Sequence, residues 1–124
     1  MVPDALPWSW QATAQERARV YPCDAYAPAP QHAFVRAVDV AAPPDVVFRW
    51  LQQLRIAPYS YDWLDNFGLP SPRSLTPRAA TIAVGQRVMH ILRILAFEPN
   101  RTLTCGPGSR LGAALFGELY GTYD

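Results

Sequence analysis

The sequence predicts an α+β domain in which an amphipathic helix lies on an antiparallel sheet. Three features of the 124-residue chain lead there. A strand-like run, AFVRAVDVAA, is followed at once by a helix-like one, PPDVVFRWLQQLRIA. Beyond Thr81 the chain turns β-rich and stays so almost to Asp124. Half of the residues are hydrophobic and 17% are charged, a composition that can fill one core. The length suits a single domain.

The elements follow in order. Residues 1–32 are rich in Pro and Ala and read as an arm packed on a domain. A short helix is expected near Thr13–Val20, where Thr13 and Glu16 have capping-box spacing. YPCDAYAPAPQ then reads as an extended connector, because each Pro fixes its own φ and restricts its predecessor. Residues 33–42 read as a strand, with Val38 and Val40 on one face and Ala37 and Asp39 on the other. In the next segment Pro44 suits the first helical position and Asp45 favours the positive end of the helix dipole. Val47, Trp50, Leu51 and Leu54 recur at i, i+3, i+4 and i+7, which makes the buried stripe.

Pro58 stops this helix. A short second helix is expected over Tyr61–Phe67, with Ser60 as N-cap, Asp62 in the first turn and Gly68 as the left-handed residue after its end. Trp63 and Phe67 are i, i+4 neighbours on it. GLPSPRSLTPRAA is an irregular loop. TIAVGQRVMHILRILAF then reads as β-structure with Gly85 at a turn or bulge, and Val88–Phe97 forms its long strand. EPNR is a hairpin turn, TLTC a second strand, GPGSRLG a turn, and AALFGELYGTYD a third strand with alternating Phe116, Glu118, Tyr120 and Thr122. The strand pattern is still running at Asp124, so the chain is expected to be cut short relative to a complete domain.

The bulk properties exclude several functions. A net charge of +1 gives no basic footprint for nucleic acid and none for an anionic membrane. All eleven basic residues are Arg, which we read as a trace of base composition. Cys23 and Cys105 are too few and too far apart for a disulfide framework and fit reduced thiols in a cytoplasmic protein. The opening residues have no basic and then apolar pattern of a secretory signal. The apolar run Val88–Phe97 is too short to span a bilayer and contains His90 and Arg93, so no membrane insertion is expected.

The order strand, amphipathic helix, short helix, loop and consecutive antiparallel strands resembles the helix-grip fold of the START-like, or SRPBCC, superfamily. VDVAAPPDVVFRWLQQLRIAPYSYDWLDN (38–66) is similar to the N-terminal part of bacterial members, with a strand ending at Ala-Pro, an aromatic at Phe48, Trp-Leu at Trp50–Leu51 and a YSYDWLDN segment. TAQERARVYPCD (13–24) resembles their lead-in. The resemblance implies a curved sheet with two N-terminal helices, and further strands and a long C-terminal helix that this chain lacks. On that reading 1–32 is an arm and 33–124 a partial domain, whose open sheet edge would invite self-association.

The resemblance also implies a cavity for a hydrophobic small molecule, lipid-like, aromatic or polyketide-like. Candidate pocket residues are Tyr59, Tyr61, Trp63, Met89, His90, Arg93 and Tyr120. For the aromatics the competing role is core packing. His90 could be a base facing a cavity or a strand residue with a local partner. Asp62 and Asp65 could form a carboxylate pair, but service to the helix dipole and to solvent is the favoured reading. His32 lies in the arm and is read as incidental. Cys23, Cys105, His32 and His90 lack metal-ligand spacing, GPGSRLG lacks the Lys and following helix of a phosphate loop, and no nucleophile motif occurs. No catalytic residue, metal or cofactor is therefore assigned. A polyketide cyclase or aromatase using His90, Arg93 and Tyr61 is the alternative. A non-functional or assembly-dependent fragment is the third reading.

Overall fold

The computed structural model describes residues 1–57 and 67–124, with the Phe116 side chain excepted. The expected helix at Tyr61–Phe67, its cap Ser60, and Tyr59, Asp62, Trp63 and Asp65 thus lie outside the described residues, apart from Phe67. The chain divides into two compact units, Met1–Ala41 and Ala42–Asp124.

The first unit contains β1 (Ser9–Trp10), α1 (Ala14–Ala18), a 3-10 turn at Pro22–Ala25 and β2 (Val35–Arg36). The Thr13–Glu16 box forms as expected: Thr13 Oγ1 accepts from the Glu16 N–H at 3.2 Å and Glu16 Oε2 accepts from the Thr13 N–H at 2.7 Å. The Thr13 N–H and then the Thr13 hydroxyl, both donating to Glu16 Oε2, hold the Glu16 carboxyl below its ordinary pKa. The connector is not fully extended, because Asp24 Oδ2 accepts from the Tyr21 N–H at 2.8 Å and closes the 3-10 turn. The strand expected over 33–42 shrinks to Val35–Arg36, which pairs in parallel with Ser9–Trp10. Its partner is only two residues long, so nothing extends the ladder, and Val38 and Val40 are exposed. His32 has a place here, stacked on Trp8 at 5.4 Å, with Phe34 on Trp8 at 5.3 Å.

The second unit begins with α2 (Pro44–Gln52), extended by a 3-10 turn at Gln53–Arg55. Pro44 and Asp45 take the expected positions in its first turn. The buried stripe is rotated from the expected one. Phe48, at 4% exposure, is the core residue, while Trp50 is 38% exposed. Leu51 and Leu54 pack against the core as expected. Phe48 and the buried Gln52 join the inner side of the helix, and Trp50 falls outside it.

The sheet is an antiparallel meander of β3 (Arg87–Val88), β4 (Leu92–Glu98), β5 (Thr102–Pro107) and β6 (Gly121–Tyr123), in that order. The protein is therefore α+β, with short helices and a four-stranded antiparallel sheet. Gly85, at φ 92, stands third in the turn Ala83–Gln86, where the Gln86 N–H donates to Ala83 O. A side chain rarely adopts that φ, so the sequence signal at Gly85 was sound. EPNR also turns as expected: Pro99 and then Asn100, at φ 59, reverse the chain, and the Arg101 N–H donates to Glu98 O at 3.1 Å.

Two expected strands change. Val88–Phe97 is interrupted at Met89–Ile91, where the chain reverses between Val88 and Leu92, which pair directly. The first four residues of the expected third strand, 113–116, belong instead to α3 (Arg110–Phe116), 117–120 are irregular, and the strand survives only at Gly121–Tyr123. Ser109 Oγ caps α3 by accepting from the Gly112 N–H at 3.0 Å, so GPGSRLG does lead into a helix.

β4 carries a bulge. Ile94 pairs with Cys105 and Ala96 with Thr104, which leaves Leu95 as an extra residue. The insertion resets the alternation, so Leu92, Ile94 and Phe97 all serve the helix side. They join Phe48, Ile82, Val88, Leu103 and Cys105 in one cluster. On the opposite face Gly106 lies beneath Leu95 and Tyr120. A Cβ there would stand 2.6 Å from Leu95 Cδ1 and 3.0 Å from Tyr120 Cδ1.

The loop between α2 and β3 is tied to the helix end by polar contacts. Gln53 is fully buried; its Nε2 donates to Ser74 O at 2.9 Å and its Oε1 accepts from the Thr76 N–H at 2.6 Å. Arg55 Nη1 donates to Thr81 O at 2.6 Å. Ala79 and Ile82 are thereby buried.

Replacing Phe48 by Ala should lower unfolding stability by about 3–5 kcal/mol, since it empties the centre of the cluster. Trp50→Ala should lower it by about 1 kcal/mol or less, as the side chain is partly solvated. Urea denaturation of both variants checks the order, and an equal loss would refute the rotated stripe.

Candidate functional site

The residues that could meet a ligand collect where the β3–β4 turn approaches the end of α2. Val88 and Leu92 pair, so three residues make the reversal. Met89 has φ 48 and His90 φ 64, and the Ile91 N–H donates back to Met89 O at 2.8 Å. Left-handed backbone disfavours side-chain-bearing residues by roughly 1–2 kcal/mol each. The surroundings hold it. The Met89 N–H donates to Leu54 O at 2.9 Å, and the Gly108 N–H donates to Ile91 O at 2.9 Å. Gly108 is required for this approach, because a Cβ would stand 2.7 Å from Ile91 O.

The side chains of the turn diverge. Met89 is half-buried against the core cluster, and Tyr123 Oη points at its Sδ from 3.9 Å. His90 is exposed, with its ring edge-on to Phe67 at 5.7 Å. Phe67 itself has φ 55 and Gly68 φ 78, so the left-handed residue expected at Gly68 is present.

Of the seven candidate pocket residues, Tyr59, Tyr61 and Trp63 lie outside the described residues. Met89 and His90 are brought together, but in a turn and not on a strand. Arg93 is exposed on β4 and pairs with Arg87 on one side and Gly106 on the other. Tyr120 covers Gly106 on the face away from the cluster. The structure thus splits the set: Met89 lies on the helix side, Arg93 and Tyr120 on the opposite side. Arg93 faces away because it alternates with the core residues Leu92 and Ile94, and Met89 is re-aimed by a turn that has no Gly, Asn or Pro marker in VMHILRIL.

The helix-side wall also contains two groups that the sequence reading did not single out. Cys105 is buried, and burial pushes its thiol from the ordinary 9.0 up to about 11. It is protonated at neutral pH and behaves as a small apolar group. Tyr123 has a raised pKa, first from burial and then from the neighbouring Cys105. The signal available in sequence was the alternation of Leu103, Cys105 and Pro107. The wall therefore offers a thioether and a phenol above a buried, protonated thiol, while the charged residues Arg87, Arg93 and Glu98 are exposed. Such a surface suits apolar contact with one hydroxyl for orientation. Among the described residues no group of three or more His, Cys, Asp or Glu side chains could hold a metal ion.

Gly108→Ala should destabilise the protein by about 1–3 kcal/mol, because the backbone of Ile91 must move. His90→Gly should be neutral or stabilise by up to about 1 kcal/mol, because it relieves a left-handed residue. Thermal melts of the two variants moving in the same direction would contradict the turn geometry.

The raised Cys105 pKa fixes a sign. The unfolded chain loses the thiol proton near 9.0 and the folded chain near 11, so the unfolded state binds fewer protons between them. The contribution is complete below about pH 9 and is lost as pH rises towards about 11. Cys105→Ala should flatten that decline, with a residual slope from Tyr123. Urea midpoints measured across this range check it.

Comparison of the chain with protein-family models, with curated proteins and with solved structures finds no match. Among the described residues no helix is long and apolar enough to cross a membrane.

Proposed function

We propose that the chain is a helix-grip module that binds a hydrophobic small molecule, lipid-like or aromatic and polyketide-like, without transforming it. The observation that supports this most is the helix-side wall of the sheet. Beyond the closed cluster, Met89, Phe97, Leu51 and Leu54 are only partly buried, and they form an uncharged margin to which Tyr123 adds a hydroxyl. The similarity of residues 38–66 to SRPBCC proteins supports the same reading, as does an amphipathic helix over an antiparallel meander.

The physics is burial of apolar ligand surface. Covering about 300 Å² at about 25 cal/mol per Å² gives roughly 7 kcal/mol. Part of this is consumed by lost translational and rotational freedom, which leaves affinities at the micromolar level or weaker. A cyclase would need His90, Arg93 and Tyr61 to converge on one ligand. His90 lies in an exposed turn and Arg93 on an exposed strand position, which favours carriage over catalysis. A reducing, cytoplasmic setting fits the buried, protonated Cys105.

Native mass spectrometry of the purified protein should show a copurifying apolar adduct, or titration with β-naphthyl methyl ether should saturate. A cooperatively melting sample that shows neither result would overturn the reading.

A further inference from the structure

The end of α2 carries two adjacent glutamines, Gln52 at 8% exposure and Gln53 at 0%. Their amides are treated very differently. Both polar ends of Gln53 are used, one on Ser74 O and one on the Thr76 N–H. Gln52 Oε1 is buried and accepts no hydrogen bond.

A buried amide oxygen without a donor is a standing penalty, and Leu or Met would fill the same volume without it. Gln52 stands one helical turn after Phe48, which is in the core, and next to Leu51, which packs on it. Its oxygen is withdrawn from bulk water, one turn along the helix from the core residue Phe48.

We infer that Gln52 is the polar anchor of the ligand site, its Oε1 accepting a hydrogen bond from an O–H or N–H on an otherwise apolar ligand. This rests on the hydrophobic-ligand reading and narrows it to a class. An alcohol, phenol or amide supplies the missing donor. A pure hydrocarbon or an ether supplies none. A carboxylate has no donor at neutral pH and sets a negative charge against the carbonyl dipole. The preferred ligands are neutral amphiphiles with one donor.

Three probes sharing one ring system test the assignment: β-naphthol, β-naphthyl methyl ether and β-naphthoate, each titrated into the full chain at neutral pH. Wild type should bind the naphthol about tenfold more tightly than the ether, the scale of one hydrogen bond to a buried acceptor, and the naphthoate most weakly. Gln52→Met should bring the naphthol-to-ether ratio to about one while ether affinity changes by no more than about threefold. Gln52→Leu serves as a second variant, and the wild-type ratio needs no variant at all. Equal binding of naphthol and ether by wild type, or a preference that survives in Gln52→Met, would overturn the role of Gln52 and leave hydrophobic binding standing. Failure of a cooperatively folded wild type to bind any of the three would overturn the hydrophobic-ligand reading, and the anchor with it.

Discussion

Burial of Phe48 among Val88, Leu92, Ile94, Leu103 and Cys105 is the contact on which the second unit depends. It ties the only long amphipathic helix among the described residues to three successive strands. Close-packed apolar surface tolerates little displacement, so this contact fixes which side of each strand is interior. Leu95 shows the constraint at work. Strict alternation along β4 would turn Phe97 outward and Glu98 inward. One extra residue corrects both, and leaves Leu95 free to cover Gly106 on the other face.

The end of α2 shows how polar groups complete what the apolar cluster begins. Gln53 and Arg55 bind backbone carbonyls of the following loop, and Leu54 O receives the Met89 N–H. A left-handed turn at Met89 and His90 persists because neighbours on two sides satisfy its backbone. The helix end, the loop and the turn are consequently one hydrogen-bonded assembly. The candidate site lies along its apolar border.

Local signals in the sequence were read correctly where they act alone. Pro44 and Asp45 start a helix, Thr13 and Glu16 cap one, and Gly85 and Pro99–Asn100 make turns, each from its own backbone preference. The misreadings arise where distant residues decide. Residues 113–116 were read as the start of the last strand, yet they close a helix capped by Ser109, and only Gly121–Tyr123 is extended and paired; serine before RLGAAL was the available marker. VMHIL carries no turn residue, and its reversal depends on Leu54 and Gly108. Gln52 and Gln53 lie off the expected apolar stripe of Val47, Trp50, Leu51 and Leu54, yet both are interior. For the site, Met89 was legible as a flexible residue beside an apolar wall, whereas Arg93 and Tyr120 were candidates by residue type alone, and the sheet places both on the other face.

β5 is enclosed from above and below. Thr102, Leu103, Thr104, Cys105 and Gly106 are all buried. Such a strand usually reads as a continuous apolar run. Here the threonines are accommodated by a cross-strand bond, Thr104 hydroxyl to Thr122 hydroxyl at 3.0 Å. Bonded to β4 and β6 and screened on each face, the amide protons of this strand can trade with deuterium only when the whole meander separates. Its exchange clock therefore reports the global opening of the second unit, while the edges of the sheet breathe on shorter timescales.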